Sequence, residues 1–302
     1  MVSIDDYMRL TLEDKPLFEE HFQKFPPPHS DYLFTTLISW MHYADYCFTF
    51  VDDKLLLMSN ANDKKQFRPP LGKFDKNLTK KVLKLAHVEG GDRPFGLVTP
   101  ELKELLLTSF PNLKFSADRD FFDYVYRASD LSDLPGKNYV KIRNKLNKFI
   151  KSYNYTLELI SNDNIDEVNK FLNRWCLWRD CVSVPMLEYE KKAILFSMRH
   201  FFELDISGLA LRVDGEIEAI SVFEKISSDT AVVHYEKGIS DDFPGIYQVI
   251  NMEVAKFLQK EFRYVNREPD MGISGLRQAK MSYRPHHFVK VFHVERDDDF
   301  MY

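Results

Sequence analysis

Glycine is scarce in this 302-residue chain, at 11 residues, and no two of them stand in G-x-G spacing. That removes the dinucleotide-binding fingerprint and the kinase glycine loop together. Gly91 and Gly96 have the spacing of a phosphate-binding loop, but Leu97 and Val98 stand where lysine and serine or threonine are needed. Cysteine is scarcer still. Cys47, Cys176 and Cys181 are too few and too irregular for a disulfide framework or a zinc site, so the expectation is no metal and a reducing, cytoplasmic setting. No apolar run approaches the roughly 20 residues that cross a bilayer, and Asp5, Asp6 and Arg9 interrupt the start where a leader needs apolar residues. The expectation is therefore no integral membrane segment. The formal net charge of -5 argues against nonspecific binding of nucleic acid by the molecule as a whole.

Aromatic residues are plentiful: 25 Phe, 15 Tyr and 3 Trp. They supply large buried areas, so a chain of this length has material for two domains. In the first half, helical and strand patterns mix. A helix is predicted from Asp31 towards Tyr43, a hairpin at Tyr46–Val51 and Lys54–Met58, a basic helix near 75–87, a strand at Phe95–Thr99 and another at Phe121–Tyr126.

The second half has a clearer order. A strand at 155–160 precedes two helices, then a three-strand meander turning at Asp214-Gly215. A helix from Ile246, a strand at 263–266, a helix near 275–282 and a strand at 288–294 complete it. This order resembles the GNAT acyltransferase fold. The looser alternation of the first half predicts a tandem pair: an α/β (α+β) protein with mixed sheets flanked by helices, residues 1-135 forming one GNAT-like domain and 136-302 the second, joined at a basic connecting helix 137-153.

The runs FFDYVYRASDLSDLPGKNYVKIRNKLNKF, HYEKGISDDFPGIYQVINMEVAKFL and YVNREPDMGISGLRQAKMSYRP carry a more specific resemblance. They are similar to a family related to the C-terminal domain of phosphatidylglycerol lysyltransferases, and more distantly to Fem-type aminoacyltransferases. That resemblance implies acyl or aminoacyl transfer to an amine or hydroxyl of a small-molecule acceptor, with acyl-CoA or aminoacyl-tRNA as the donor substrate and no tightly bound cofactor. The competing expectation is a noncatalytic GNAT-like ligand-binding module that kept the fold and the cleft.

Candidate site residues follow from local chemistry. Between Lys137 and Lys151 stand six basic residues and no acid. On a helix the five lysines fall within an arc of roughly 120° opposite the apolar stripe, a face for tRNA or for solvent. Arg143 lies at the flank of that stripe and, with Asn144, is a candidate to reach a substrate cleft. Gly245, Ile246, Tyr247 and Gln248 open a helix where GNAT relatives hold donor pyrophosphate, although the paired glycines of that loop are missing and Asp241 and Asp242 place negative charge beside it. Two-residue alternation places His234 and Glu236 on one strand face, with Glu236 as candidate base. Asn266, Glu268 and Asp270 follow a strand end, and Arg277 and Lys280 lie three apart on the next helix. These five are candidates for the acceptor, or for a salt-bridge network alone.

Overall fold

The computed structural model describes residues 2–183 and 185–296. Its contacts divide the chain into two units. The first holds the residues up to Asp123, the short stretch Pro269–Gly272 and the chain from Val289 on; the second holds Tyr124–Glu268 and Ile273–Phe288. The division thus falls ahead of 135/136, and the last strand returns to the first unit.

The first unit is built on an antiparallel four-stranded sheet in the order β1 (Met8–Arg9), β2 (Cys47–Val51), β3 (Lys54–Ala61), β4 (Lys64–Phe67). The predicted hairpin forms, with Asp52 at φ 55° making the tight turn. Helix α1 (Lys15–Lys24) packs Phe18 edge-on against Phe48 of β2. The predicted 31–43 helix is instead broken into a 3-10 turn at Ser30–Tyr32, α2 (Phe34–Ser39) and α3 (Met41–Ala44). The Asp31 amide donates to His29 Nδ1, and Asp123 accepts from both the Ser30 amide and its hydroxyl. Local side-chain bonds thus compete with a continuous helix here. Helix α4 (Lys76–Glu89) starts on Asp75, whose carboxylate accepts from the Asn77 and Leu78 amides as an N-cap should. Helix α5 (Pro100–Ser109) follows, and β5 (Phe115–Ala117) pairs with the C-terminal strand Phe292–Val294. Phe95–Thr99 is not a strand; only single bridges form at Phe95 and Val98. Leu97, with φ 54° between them, breaks the extended run.

The second unit begins with β6 (Asp123–Arg127), α6 (Ala128–Asp133) and α7 (Val140–Ser152), the basic helix. Then come β7 (Tyr155–Leu159), α8 (Ile165–Trp178), α9 (Pro185–Arg199), β8 (Ser207–Val213), β9 (Glu216–Lys225), β10 (Thr230–Gly238), α10 (Ile246–Leu258), β11 (Tyr264–Asn266), α11 (Ser274–Ser282) and β12 (His287–Val289). The sheet order is β12-β6-β11-β10-β9-β8-β7. Its core joins Phe149 of α7, Leu211 and Phe223 of the meander, and Val249 and Ile250 of α10. The predicted rhythm of this half stands as far as α11, in a mixed sheet flanked by helices; the one strand expected at 288–294 is instead two, β12 in this sheet and Phe292–Val294 paired with β5.

One expectation about the cysteines is overturned. Cys176 is disulfide-bonded to Cys181. Helix α8 stops at Trp178, and Asp180 at φ 50° turns the chain back beneath it, so Cys181 returns to Cys176. Cys47 is free. Among the described residues no helix is long and apolar enough to cross a membrane.

Candidate functional site

Strand β10 organises the site. On one side it pairs with β9 along its length, but on the other it runs parallel to β11 only from Thr230 to Val232. There β11 ends, at Asn266 opposite Val232, and the rest of β10 lies beyond it. The β10–β9 register also shifts between Val233 and Tyr235, a β-bulge at His234. Bulges re-aim side chains, and this one places His234 and Glu236 on opposite faces. Phe223 packs on Phe257 of α10, so its neighbour Glu224 turns to the other face, and there His234 Nε2 meets Glu224 at 2.7 Å. Glu236 turns towards α10, where it accepts from the Asn251 amide at 3.3 Å. The shared face predicted by strict alternation is thus corrected by one extra residue in the strand.

His234 lies between two carboxylates, with Nδ1 2.7 Å from Glu268 and Nε2 2.7 Å from Glu224, and its side chain is 3% exposed. Burial alone would favour the neutral ring. The hydrogen bonds and charges of Glu224 and Glu268 prevail and hold its pKa at about 10. Both ring nitrogens therefore donate, and the imidazolium is a fixed cation with no lone pair for taking a proton. Its carboxylate partners keep 17% and 24% of their side chains in contact with solvent.

On the α10 face, Glu236 forms an ion pair with Arg267 at 2.9 Å, and both side chains are largely enclosed. The Arg267 guanidinium also lies 5.3 Å from the centre of the Tyr283 ring. Burial pushes the Tyr283 phenol up to about 12, and Gln248 hydrogen-bonds to it. Arg267, absent from the sequence candidates, is the centre of this network. Only its position between Asn266 and Glu268 pointed to it. Glu236, the candidate base, is thus engaged by two donors, Arg267 and the Asn251 side-chain amide.

Lys280 is buried and donates to the carbonyls of Arg267 at 2.7 Å and Glu268 at 3.0 Å. It thereby fixes the strand-end turn in which Glu268 takes φ 57°. Asn266 Oδ1 accepts from the Glu268 amide at 2.8 Å in the same turn. The structure thus brings His234, Glu268, Asn266 and Lys280 together. Asp270 lies in the first unit, fully buried, accepting from Arg119 at 3.2 Å and capping the Gly272 amide at 2.9 Å. Arg277 sits on α11 with its amide bonded to the Ile273 carbonyl. Arg143 donates to the carbonyls of Leu134 and Gly136, tying α7 to its own leading turn, which corrects its reading as a residue reaching into a cleft. Asn144 is exposed on the same helix.

The start of α10 is closed rather than open. Gly245, at φ 104°, would place a Cβ 2.6 Å from the Lys145 carbonyl oxygen and 3.1 Å from Phe149. Its glycine is required by packing against α7. The Ile246 amide donates to Phe243 O and the Gln248 amide to Gly245 O, so these donors are already used. Asp241 accepts from the Trp178 indole at 3.2 Å. An anion cradle needs free amides, and here those of Ile246 and Gln248 are taken; Tyr247 is half-buried beside the core. Gly245→Ala is expected to cost about 2 kcal/mol, from left-handed strain plus the approach to a backbone oxygen. A urea denaturation curve unchanged from the wild type would contradict that.

This arrangement of a meander, a bulged strand and a short parallel neighbour beside it is a GNAT-like acyltransferase fold. The chain belongs to the family described as phosphatidylglycerol lysyltransferase, C-terminal, whose model matches residues 22–295. It is similar, at 30% identity and a TM-score of 0.87, to a conserved protein of unknown function from Bacteroides thetaiotaomicron VPI-5482, covering 96% of this chain and 99% of that one. The structure of L-PGS from Bacillus licheniformis matches with a TM-score of 0.65 at 12% identity, covering 94% and 92%. FemX matches with 0.56 at 10%, covering 96% and 97%. A curated relative from Mycoplasmoides gallisepticum is 23% identical over 176 residues, and the chain spans about half that protein's length, 56%.

Proposed function

We propose that this chain is an aminoacyltransferase that moves an aminoacyl group from tRNA to the amine or hydroxyl of a small acceptor. The observation that carries the reading is the Glu224–His234–Glu268 cluster beside the end of β11. Two partly exposed carboxylates held in fixed positions suit an ammonium group, such as that of an aminoacyl donor. In the transfer, the acceptor's nucleophile attacks the ester carbonyl of the donor, and the 3′ oxygen of tRNA leaves with the acceptor's proton. Glu268 would hold the ammonium during this step, kept in place by His234 and Lys280.

The donor is read as tRNA rather than CoA for two reasons. At the helix start that would hold pyrophosphate, Gly245 packs against α7 and the Ile246 and Gln248 amides are engaged, as described above. The five lysines of the basic segment are all exposed and none is engaged in an ion pair. Phosphate contacts of that kind dominate nucleic-acid affinity and make it salt-dependent.

The test is a transfer assay with tRNA charged with labelled amino acids in one arm and labelled acetyl-CoA in the other, each with phosphatidylglycerol vesicles and soluble amines as acceptors. Label is expected to leave charged tRNA only. Glu268→Gln is expected to lower kcat/KM about 100-fold, and Lys141→Glu with Lys145→Glu and Lys148→Glu should flatten the salt dependence of tRNA binding by about 2–3 log units per log unit. Transfer from acetyl-CoA would overturn the reading. Saturable tRNA binding without turnover for any acceptor would favour the second reading, a noncatalytic module, which the engaged Glu236 also supports.

A further inference from the structure

The first unit carries a groove that the proposed transfer does not use. It has a volume of about 540 Å³ and runs between α1 and the outer edge of β2, with Met8, Leu17, Phe25 and Phe50 as its apolar walls and His21 among its lining residues. Met8 and Leu17 are 60% and 43% exposed, high values for large apolar side chains on a solvent-facing rim.

The edge beside the groove is open. Strand β1 pairs with β2 only at Met8↔Phe48 and Arg9↔Cys47. At Tyr7 the chain turns away, its amide bonded to Ile4 O and its ring packed edge-on against Phe67. Successive residues of an antiparallel strand point their amide and carbonyl to alternate sides. The Leu10 amide donates to Tyr46 O at 3.0 Å, so the even-numbered residues face β1. Phe50 therefore presents its N–H and C=O outward, past the end of β1 and along the groove.

We propose that this groove receives a short extended segment of a partner protein, which adds a strand beside Phe50 and inserts an apolar side chain between Leu17, Phe25 and Phe50. Three observations select that occupant. The outward backbone pair calls for another backbone, which a lipid or a small apolar molecule does not supply. The free edge is three residues long, Thr49–Val51, which suits a short segment and is too small for an edge-to-edge dimer burying roughly 800 Å² per partner. On the rim Glu20 is paired with Lys24 and Asp53 with Lys54, which leaves Asp52, exposed at the hairpin tip, to match a basic residue flanking the apolar one.

Fluorescence polarisation with the labelled peptide KVTVTK tests this on the full chain, beside its backbone N-methylated twin and the acidic peptide EVTVTE. KVTVTK is expected to bind saturably, the N-methylated twin not at all, and EVTVTE at least about tenfold more weakly. Leu17→Arg, at an exposed position, is expected to weaken KVTVTK at least about tenfold with the melting temperature unchanged. Met8→Glu replaces it if that variant unfolds. The inference is overturned if KVTVTK does not saturate, if the N-methylated twin binds equally, or if both groove variants bind as the wild type does. It is also overturned if sedimentation shows a dimer that Leu17→Arg dissociates, since the groove would then be a contact between copies. None of these results depends on aminoacyl transfer.

Discussion

Arg267→Met is expected to destabilise the protein by about 3 kcal/mol, measured as a lower urea midpoint at unchanged slope. The substitution leaves the Glu236 carboxylate, 8% exposed, without the cation 2.9 Å away. The Asn251 amide alone remains to it, at 3.3 Å. Removing one member of an enclosed pair costs more than the pair contributes, because the survivor's desolvation is no longer offset. The figure lies at the lower end for such pairs because 14% of the Arg267 side chain still meets water. Arg267→Met combined with Glu236→Leu removes both charges and should recover most of the loss. A single variant within about 0.5 kcal/mol of the wild type would show that the pair is solvent-screened and the network unimportant.

The second large effect is in pH. His234 has a pKa of about 10 in the folded chain, against about 6.5 when unfolded. A raised folded pKa means that the folded state holds the proton more tightly. Its stabilising contribution is therefore complete below about pH 6.5 and fades as pH rises through 10. Between those limits the folding free energy should fall by about 1.4 kcal/mol per pH unit from this residue. Heteronuclear NMR of the imidazole should show the ring protonated at pH 8. Glu224→Gln with Glu268→Gln removes both negative charges and leaves the burial, so the ring should then titrate below 6.5. A wild-type ring titrating near 6.5 would end the account of His234 as a fixed cation and restore it as a candidate base.

The second unit was largely legible in the sequence because its signals are local. Asp214-Gly215 marks a turn, the apolar spacing of α10 marks a helix, and the basic helix shows its two faces by periodicity alone. The site was legible only in part. Asn266 and Glu268 were found because they follow a strand end, and Lys280 because it lies three from Arg277 on the next helix; the structure joins them through the Asn266 side chain and the carbonyls that Lys280 reaches. Arg267 was passed over, since nothing in a single sequence distinguishes a buried arginine from an exposed one. The bulge at His234 was invisible for a related reason: an extra residue in a strand has no compositional mark, and alternation read through it gives the wrong face for everything beyond. Cys176 and Cys181 were discounted by number and spacing, whereas the turn at Asp180 decided their pairing.

The same bulge sets how this strand tolerates change in its length. Deleting His234 would restore simple alternation without altering the order of Tyr235, Glu236 and Lys237. Both halves would keep their faces, because Val233 already pairs with Phe223 and Tyr235 with the next residue, Val222. Val233 would stay in the core, and Tyr235 and Lys237 would stay on Ser197 and Glu190 of α9. What would go is the imidazolium that joins Glu224 to Glu268. The cation of the site thus sits on the one residue that the pairing of β10 with β9 does not use.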